Sequence, residues 1–259
     1  MADRSYPARF ARLAVRLRSR VDALRLQVSG DPLDRRLAGA IRNARKRTSH
    51  PSAFAEIERE RGALARRSDP LVDGTLEGVG PYDRGSVSDA EKDSKSPRDC
   101  QLLYNIVRAF EPRCVIELGT NIGISGAYIA TALKDCGKGG RLTTLEGSPY
   151  RMRLAKALHA GLHLDNITYR QGMFANTLQP TLDELPPIDV AFIDGHHQYE
   201  PTLRYFDLIA RHSSPTCVFI FDDIGWSDGM KKAWSELRTD PRLPVAITFA
   251  GLGVALKKV

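Results

Sequence analysis

Cysteine is scarce in this chain: four residues, at 100, 114, 136 and 217, with no C-x-x-C pair among them. That spacing argues against a zinc site and against a disulfide framework. Cys114 and Cys217 read instead as small buried hydrophobes in or beside core strands. No run approaches 18 consecutive apolar residues, so no span of a bilayer is expected. No signal-peptide pattern opens the sequence, and a reducing cytoplasm is the expected location. The G-x-G-x-x-G dinucleotide fingerprint is missing as well, which places nicotinamide chemistry last among the options. Acidic charge is short in one region only. Residues 1–72 hold 17 Lys/Arg against 8 Asp/Glu, whereas the remainder holds 21 against 23. The net charge of +7 therefore belongs to an N-terminal arm.

What is present is most informative between Cys114 and Leu133. An apolar run, Cys114-Val115-Ile116, passes through Glu117 into a loop, Gly119-Thr120-Asn121-Ile122-Gly123, and resumes from Ser125 as a helix. A strand–loop–helix of this kind opens a doubly wound α/β domain, where glycines let a ligand approach the backbone. Further strands follow in order. Arg141–Leu145 ends at Glu146, whose carboxylate can accept both hydroxyls of a ribose; an ordinary surface turn is the competing reading. Asn166–Arg170 runs to Gly172 and Met173. Ile188–Ile193 ends at Asp194-Gly195-His196-His197, and Cys217–Phe221 at Asp222-Asp223. Parallel strands share a direction, so all these termini fall on one edge of the sheet.

Phe10, Leu13, Leu17, Val21, Leu24 and Val28 form an apolar stripe of a first helix, with arginines on its other faces. Two more helices are expected near 33–47 and 52–67. The arm can pack on the main domain or a second copy, touch an anionic membrane surface, or bind nucleic acid. Between about 70 and 95, Gly, Pro, Ser and Asp dominate and predict a loop or lid, ahead of a helix from Pro97 to Phe110. After the fifth strand come a helix, Ser227–Leu237, and a closing pair of strands around Gly251-Leu252-Gly253. The expected organisation is a basic helical extension, 1–72, and an α/β domain, 73–259.

The E-x-G-x-x-x-G pattern of Glu117, Gly119 and Gly123 resembles motif I of the class I S-adenosylmethionine-dependent methyltransferases. Phe192-Ile193-Asp194-Gly195-His196-His197 and Phe221-Asp222-Asp223 are similar to the metal-dependent O-methyltransferases of the catechol, caffeoyl-coenzyme A and macrolide sugar types. The resemblance covers about 95–259 and implies a mostly parallel seven-stranded Rossmann-like sheet whose last strand is antiparallel. It implies S-adenosylmethionine held by Glu117, Gly119, Thr120, Asn121, Gly123, Ser125, Glu146, Gly172, Met173 and Asp194. It further implies a divalent cation such as Mg²⁺ on Asp194, Asp222 and Asp223, and His197 with Asp194 as catalytic groups. Two departures stand out: His196 stands where many relatives have a second acid, and Met173 where an acid commonly follows the glycine.

A hard oxygen-ligand site would hold an acceptor oxygen and lower its pKa, and an imidazole could take the proton. Competing readings have Asp222-Asp223 capping the loop beyond strand five and His197 as a structural histidine. His159, His163 and His212 read as surface residues, and Trp226 and Trp234 as acceptor-pocket walls, with helix packing on the sheet the competing reading of Trp234. The expected activity is O-methylation of a small molecule (a natural product, sugar or phenol), with a homodimer through the N-terminal helices plausible on the apolar stripe. RNA methylation guided by the basic arm is the first alternative. Against it, the Asn/Asp-Pro-Pro-Tyr/Phe tetrad and runs interleaving aromatics with Lys/Arg are both missing, so nucleic acid is not the expected partner. The second alternative is a non-catalytic binding module of the same fold.

Overall fold

The computed structural model describes residues 21, 24–46, 52–71 and 85–258. Half of the first-helix stripe, Phe10, Leu13 and Leu17, lies outside them. Val21, Leu24 and Val28 are exposed, while Leu26 is buried.

The order of elements is α1 (Pro32–Lys46), α2 (Ser52–Leu64), α3 (Val87–Lys92), α4 (Pro97–Phe110), β1 (Cys114–Leu118), α5 (Ile124–Cys136), β2 (Arg141–Glu146), α6 (Pro149–Gly161), β3 (Ile167–Gln171), α7 (Phe174–Glu184), β4 (Ile188–Ile193), α8 (Tyr199–Arg211), β5 (Ser213–Phe221), α9 (Asp228–Leu237), β6 (Val245–Phe249) and β7 (Leu252–Lys257). The seven strands form one sheet in the order β3-β2-β1-β4-β5-β7-β6. β1 to β5 are parallel, and β7 runs antiparallel to both its neighbours. Chain order reverses between β1 and β4, which makes the C-terminal edge of those strands the switch point where ligands bind in open α/β sheets.

Alternation along the strands sends successive side chains to opposite faces. On one face Val115, Val190, Val218 and Ile220 pack with Leu37 and Ile41 of α1, Leu102 and Ile106 of α4, and Ile129 of α5. On the other, Ile116, Leu118, Ile193 and Phe219 pack with Leu178 of α7, Phe206 of α8 and Trp234 of α9. A third cluster joins Phe54 and Ile57 of α2 to Tyr128 of α5 and Leu154 of α6. The N-terminal helices therefore share the cores of the sheet domain. Lys258 fastens the same end by ion pairs to Asp31 at 2.7 Å and Asp34 at 2.6 Å.

The stretch expected to be a loop from 70 to 95 contains α3. Ser86 caps it, with its hydroxyl accepting from the Asp89 N–H while the Asp89 carboxylate accepts from the Ser86 N–H. A bridge between Pro70 and Ser86 closes the base of the intervening segment. Residues 72–84 lie outside the described ones.

Candidate active site

β1 delivers Glu117 one residue before its end, on the face that Val115 also takes. Its side chain is fully buried beneath the loop. Ser125 Oγ donates to one carboxylate oxygen at 2.6 Å and Thr144 Oγ1 to the other at 2.7 Å, with the Thr120 hydroxyl 2.6 Å from that of Thr144. Burial raises the Glu117 pKa to about 7, against the pull of the two hydroxyls. Expected among the groups that touch a ligand, Glu117 does not reach the open cleft; it braces the turn from below through Ser125. Thr120 and Ser125 are buried with it.

Gly119 and Gly123 have φ of +100° and +91°, a region where a side chain is strained. A Cβ on Gly123 would stand 2.8 Å from His159 Nε2. His159 is thus an interior residue rather than the surface one expected. Nε2 lies 2.7 Å from the Gly123 carbonyl and Nδ1 2.9 Å from the Tyr169 hydroxyl. Burial lowers its pKa to about 4, so it is neutral at ordinary pH. Gly123 is the N-cap of α5, which therefore has no side-chain cap.

Glu146 ends β2, half-buried at the mouth of this loop. Its two oxygens accept the backbone N–H groups of Asn121 at 2.8 Å and Ser148 at 2.9 Å. Asn121 also joins the loop to α3 and the turn after it. Its side-chain amide donates to the Ala90 carbonyl at 3.1 Å and to Ser94 Oγ at 3.3 Å, and its Oδ1 accepts from Arg151 Nη1 at 2.6 Å. The Gly172 N–H donates to the Glu146 carbonyl at 2.9 Å. Met173 is exposed and reaches back over this turn, 3.3 Å from where a Cβ on Gly147 would be.

The second half of the edge is acidic. Asp194 follows β4, and Asp222 and Asp223 follow β5, with the Asp222 N–H donating to the Ile193 carbonyl at 3.0 Å. Asp194, His197 and Asp222 can each direct a ligand atom to within 4.8 Å of the others. Asp223 instead faces His197, whose Nδ1 lies 3.8 Å from Asp223 Oδ2 and whose Nε2 lies 3.7 Å from Asp194 Oδ1. Burial, then the charge of Asp222, holds Asp194 well above the usual carboxylate range. The same two causes raise Asp223. Burial lowers His197 below its ordinary value, against the pull of Asp223 and Asp222.

Lys95, which the sequence reading did not single out, enters this cluster from the turn between α3 and α4. Its ammonium donates to Asp222 Oδ2 and lies 3.8 Å from Asp194 Oδ1. Burial works against its charge, yet Asp194 and Asp222 hold its pKa above the ordinary value. The oxygen donors are of the type a hard divalent cation takes. Such an ion would have to displace Lys95 or sit against a like charge, so the cluster as folded does not fit the ion that the sequence pattern anticipates.

Around the cluster, His196 is exposed and its Nδ1 lies 2.8 Å from the Tyr205 hydroxyl. Trp226 is 76% exposed beside Asp223. Trp234 is a core residue, its indole N–H bonded to Thr248 Oγ1 at 3.1 Å. No helix among the described residues is long and apolar enough to cross a membrane.

A family profile described as a methyltransferase domain matches residues 116–224, which span Glu117 to Asp223 and leave Lys95 outside. A catechol O-methyltransferase of Niastella koreensis is 31% identical over 159 residues, covering 60% of this chain and 68% of that protein. Among solved structures, an O-methyltransferase from Bacillus cereus in complex with SAH aligns with a TM-score of 0.59 at 20% identity, over 83% of this chain and 94% of that one. The O-methyltransferase TomG from Streptomyces achromogenes, involved in tomaymycin synthesis and solved with SAM, aligns at 0.56 and 21% identity, over 66% and 87%. At these identities the two structures speak to the fold.

Proposed function

Because the chain belongs to the class I S-adenosylmethionine-dependent O-methyltransferases, we propose that it methylates a hydroxyl of a small molecule, using S-adenosylmethionine bound across the β1–β2 end of the sheet edge and an acceptor seated at the acidic β4–β5 end. The observation that carries this reading is Glu146, whose carboxylate stands at the cleft mouth beside the loop, held there by two backbone N–H groups. A carboxylate so placed suits the two hydroxyls of a ribose. Gly119 and Asn121 border it, and Gly172 and Met173 lie against the same turn, where they would flank the adenine. Glu117, Thr120, Gly123 and Ser125 would shape the pocket from beneath.

S-adenosylmethionine supplies a methyl group on a sulfonium whose departure leaves a neutral thioether. The chain's task is then alignment and removal of the acceptor proton. Alignment of bound reactants is worth effective molarities on the order of 10⁵–10⁸ M. His197, neutral because burial lowers its pKa, would take the proton through one ring nitrogen. Asp194 and Asp223 flank the ring and would stabilise the imidazolium that forms. Mg²⁺ has no part in this reading, because the Lys95 ammonium stands against the carboxylates that would hold it.

Calorimetric titration with S-adenosylmethionine, followed by mass spectrometry of catechols, phenols and sugars incubated with enzyme and donor, tests the proposal. Saturable donor binding and a gain of one methyl on a hydroxyl support it. Lack of donor binding by the folded protein would sink it.

A further inference from the structure

We infer that Lys95 is the resident cation of the acid cluster, its ammonium doing for Asp194 and Asp222 what the sequence pattern assigns to a divalent ion. The position of this side chain is built by the surrounding fold. Its carbonyl accepts from Arg61 Nη1 at 2.8 Å, and Arg61 Nε is paired with Glu91 at 2.6 Å, so α2 clamps both the end of α3 and the root of Lys95. On the preceding side, Ser94 donates to the Ala90 carbonyl at 3.0 Å and is held by Asn121 of the β1 loop. On the following side, Ser96 caps α4 through the Asp99 N–H. With its backbone fixed in three directions, the side chain enters the cleft. Lys95 and Asp194 keep 14% of their side-chain surface and Asp222 keeps 4%.

Burial of this kind makes the pairing mutual. Asp222 without a cation would be a desolvated charge, and Lys95 without Asp222 would be the same. A divalent ion at Asp222 would have to expel the ammonium from a position that three elements define. An ammonium also carries three donors, of which Asp222 takes one. The others can meet an acceptor oxygen, and the positive charge there would favour its deprotonated form. That last step rests on the proposed methyl transfer; the occupancy of the cation position does not.

The test is titration of the apo protein with Mn²⁺ alone, followed by paramagnetic resonance of free Mn²⁺, with S-adenosylmethionine binding measured on the same samples. The wild type is expected to take up no Mn²⁺ saturably at this cluster. Lys95→Ala is expected to gain affinity by roughly tenfold or more, as removal of a like charge at contact distance requires, and Lys95→Ala with Asp222→Asn to lose it again. Turnover of the wild type should persist in excess chelator. Saturable Mn²⁺ uptake by the wild type that Asp222→Asn abolishes overturns the inference, and does so even if Lys95→Ala fails to fold. Equal Mn²⁺ affinity in the wild type and Lys95→Ala overturns it too. Donor binding reads the methyl-transfer proposal separately, since its loss in the wild type would leave the Mn²⁺ result standing.

Discussion

A Cβ on Gly119 would lie 1.9 Å from the carbonyl oxygen of Asp194. The two residues directly follow β1 and β4, neighbours across the point where strand order reverses. The Asp194 N–H also donates to the Leu118 carbonyl at 2.9 Å, so the backbones meet directly at the base of the cleft. The bare glycine lets the loop after β1 and the acidic cluster meet at one floor.

Gly119→Ala should therefore destabilise the fold by about 3 kcal/mol or more, because overpacking adds to an unfavourable positive φ. Gly137→Ala is the control. Its φ is +66° and nothing lies within 4 Å of the added Cβ, so about 1 kcal/mol is expected. Urea denaturation of the two variants, compared at equal m-value, checks the difference. Equal losses would mean that the close approach to Asp194 carries no weight.

Glu117 makes stability depend on pH. Burial raises its folded-state pKa from 4.5 to about 7. A raised value means that the folded state prefers the protonated form. Its stabilising contribution is full below 4.5 and is lost as pH rises through about 7. Glu117→Gln keeps a polar partner for Ser125 and Thr144 without titrating. Relative to the wild type, the variant should gain stability between about pH 5 and about pH 8.5, by roughly 3 kcal/mol at most. Denaturation midpoints that run parallel across that window would show that the carboxylate does not titrate there.

The strands were legible because buried parallel strands read as short apolar runs, and each here breaks at glycine or acid on the ligand edge. Glu117, Glu146, Asp194, Asp222 and Asp223 were visible for that reason. What local pattern could not convey is which of them faces open space. Glu117 differs from Glu146 in standing before its strand's end, on a face that α5 covers. Lys95 sits in the run Glu91-Lys92-Asp93-Ser94-Lys95-Ser96, which looks like any solvated turn; its ion pair spans more than a hundred residues and leaves no local trace. His159 looked superficial because its partners, Gly123 and Tyr169, lie on other elements. α3 did have a signal, Ser86 with Asp89 three residues on, but six residues are too few to establish a helical period.

Glu146→Ala should weaken S-adenosylmethionine binding about tenfold to a hundredfold, the worth of hydrogen bonds to a charged group. The carboxylate also holds the Asn121 and Ser148 N–H groups, so the alanine variant disturbs the loop as well as the proposed ribose contact. Glu146→Gln separates the two effects, since it keeps one acceptor oxygen for the backbone. An affinity between those of the wild type and the alanine variant is expected by calorimetry. Unchanged affinity in both variants would remove Glu146 from the donor site.

His197 offers the sharpest test of the acceptor end. A general base must be unprotonated, so the rate falls as pH drops through its pKa. Burial lowers that pKa below 6.5, against the neighbouring Asp223 and Asp222. The acidic limb of the wild-type profile should therefore lie below 6.5, with the rate level above it. His197→Ala should cut kcat by about 10²–10⁴, the usual worth of general-base catalysis, and lose that limb. Donor affinity should hold, because the ring stands at the β4–β5 end, away from Glu146. Were the variant to keep the limb at a reduced rate, the titrating group would be another member of the cluster, and His197 would act by holding Asp194 and Asp223 in place.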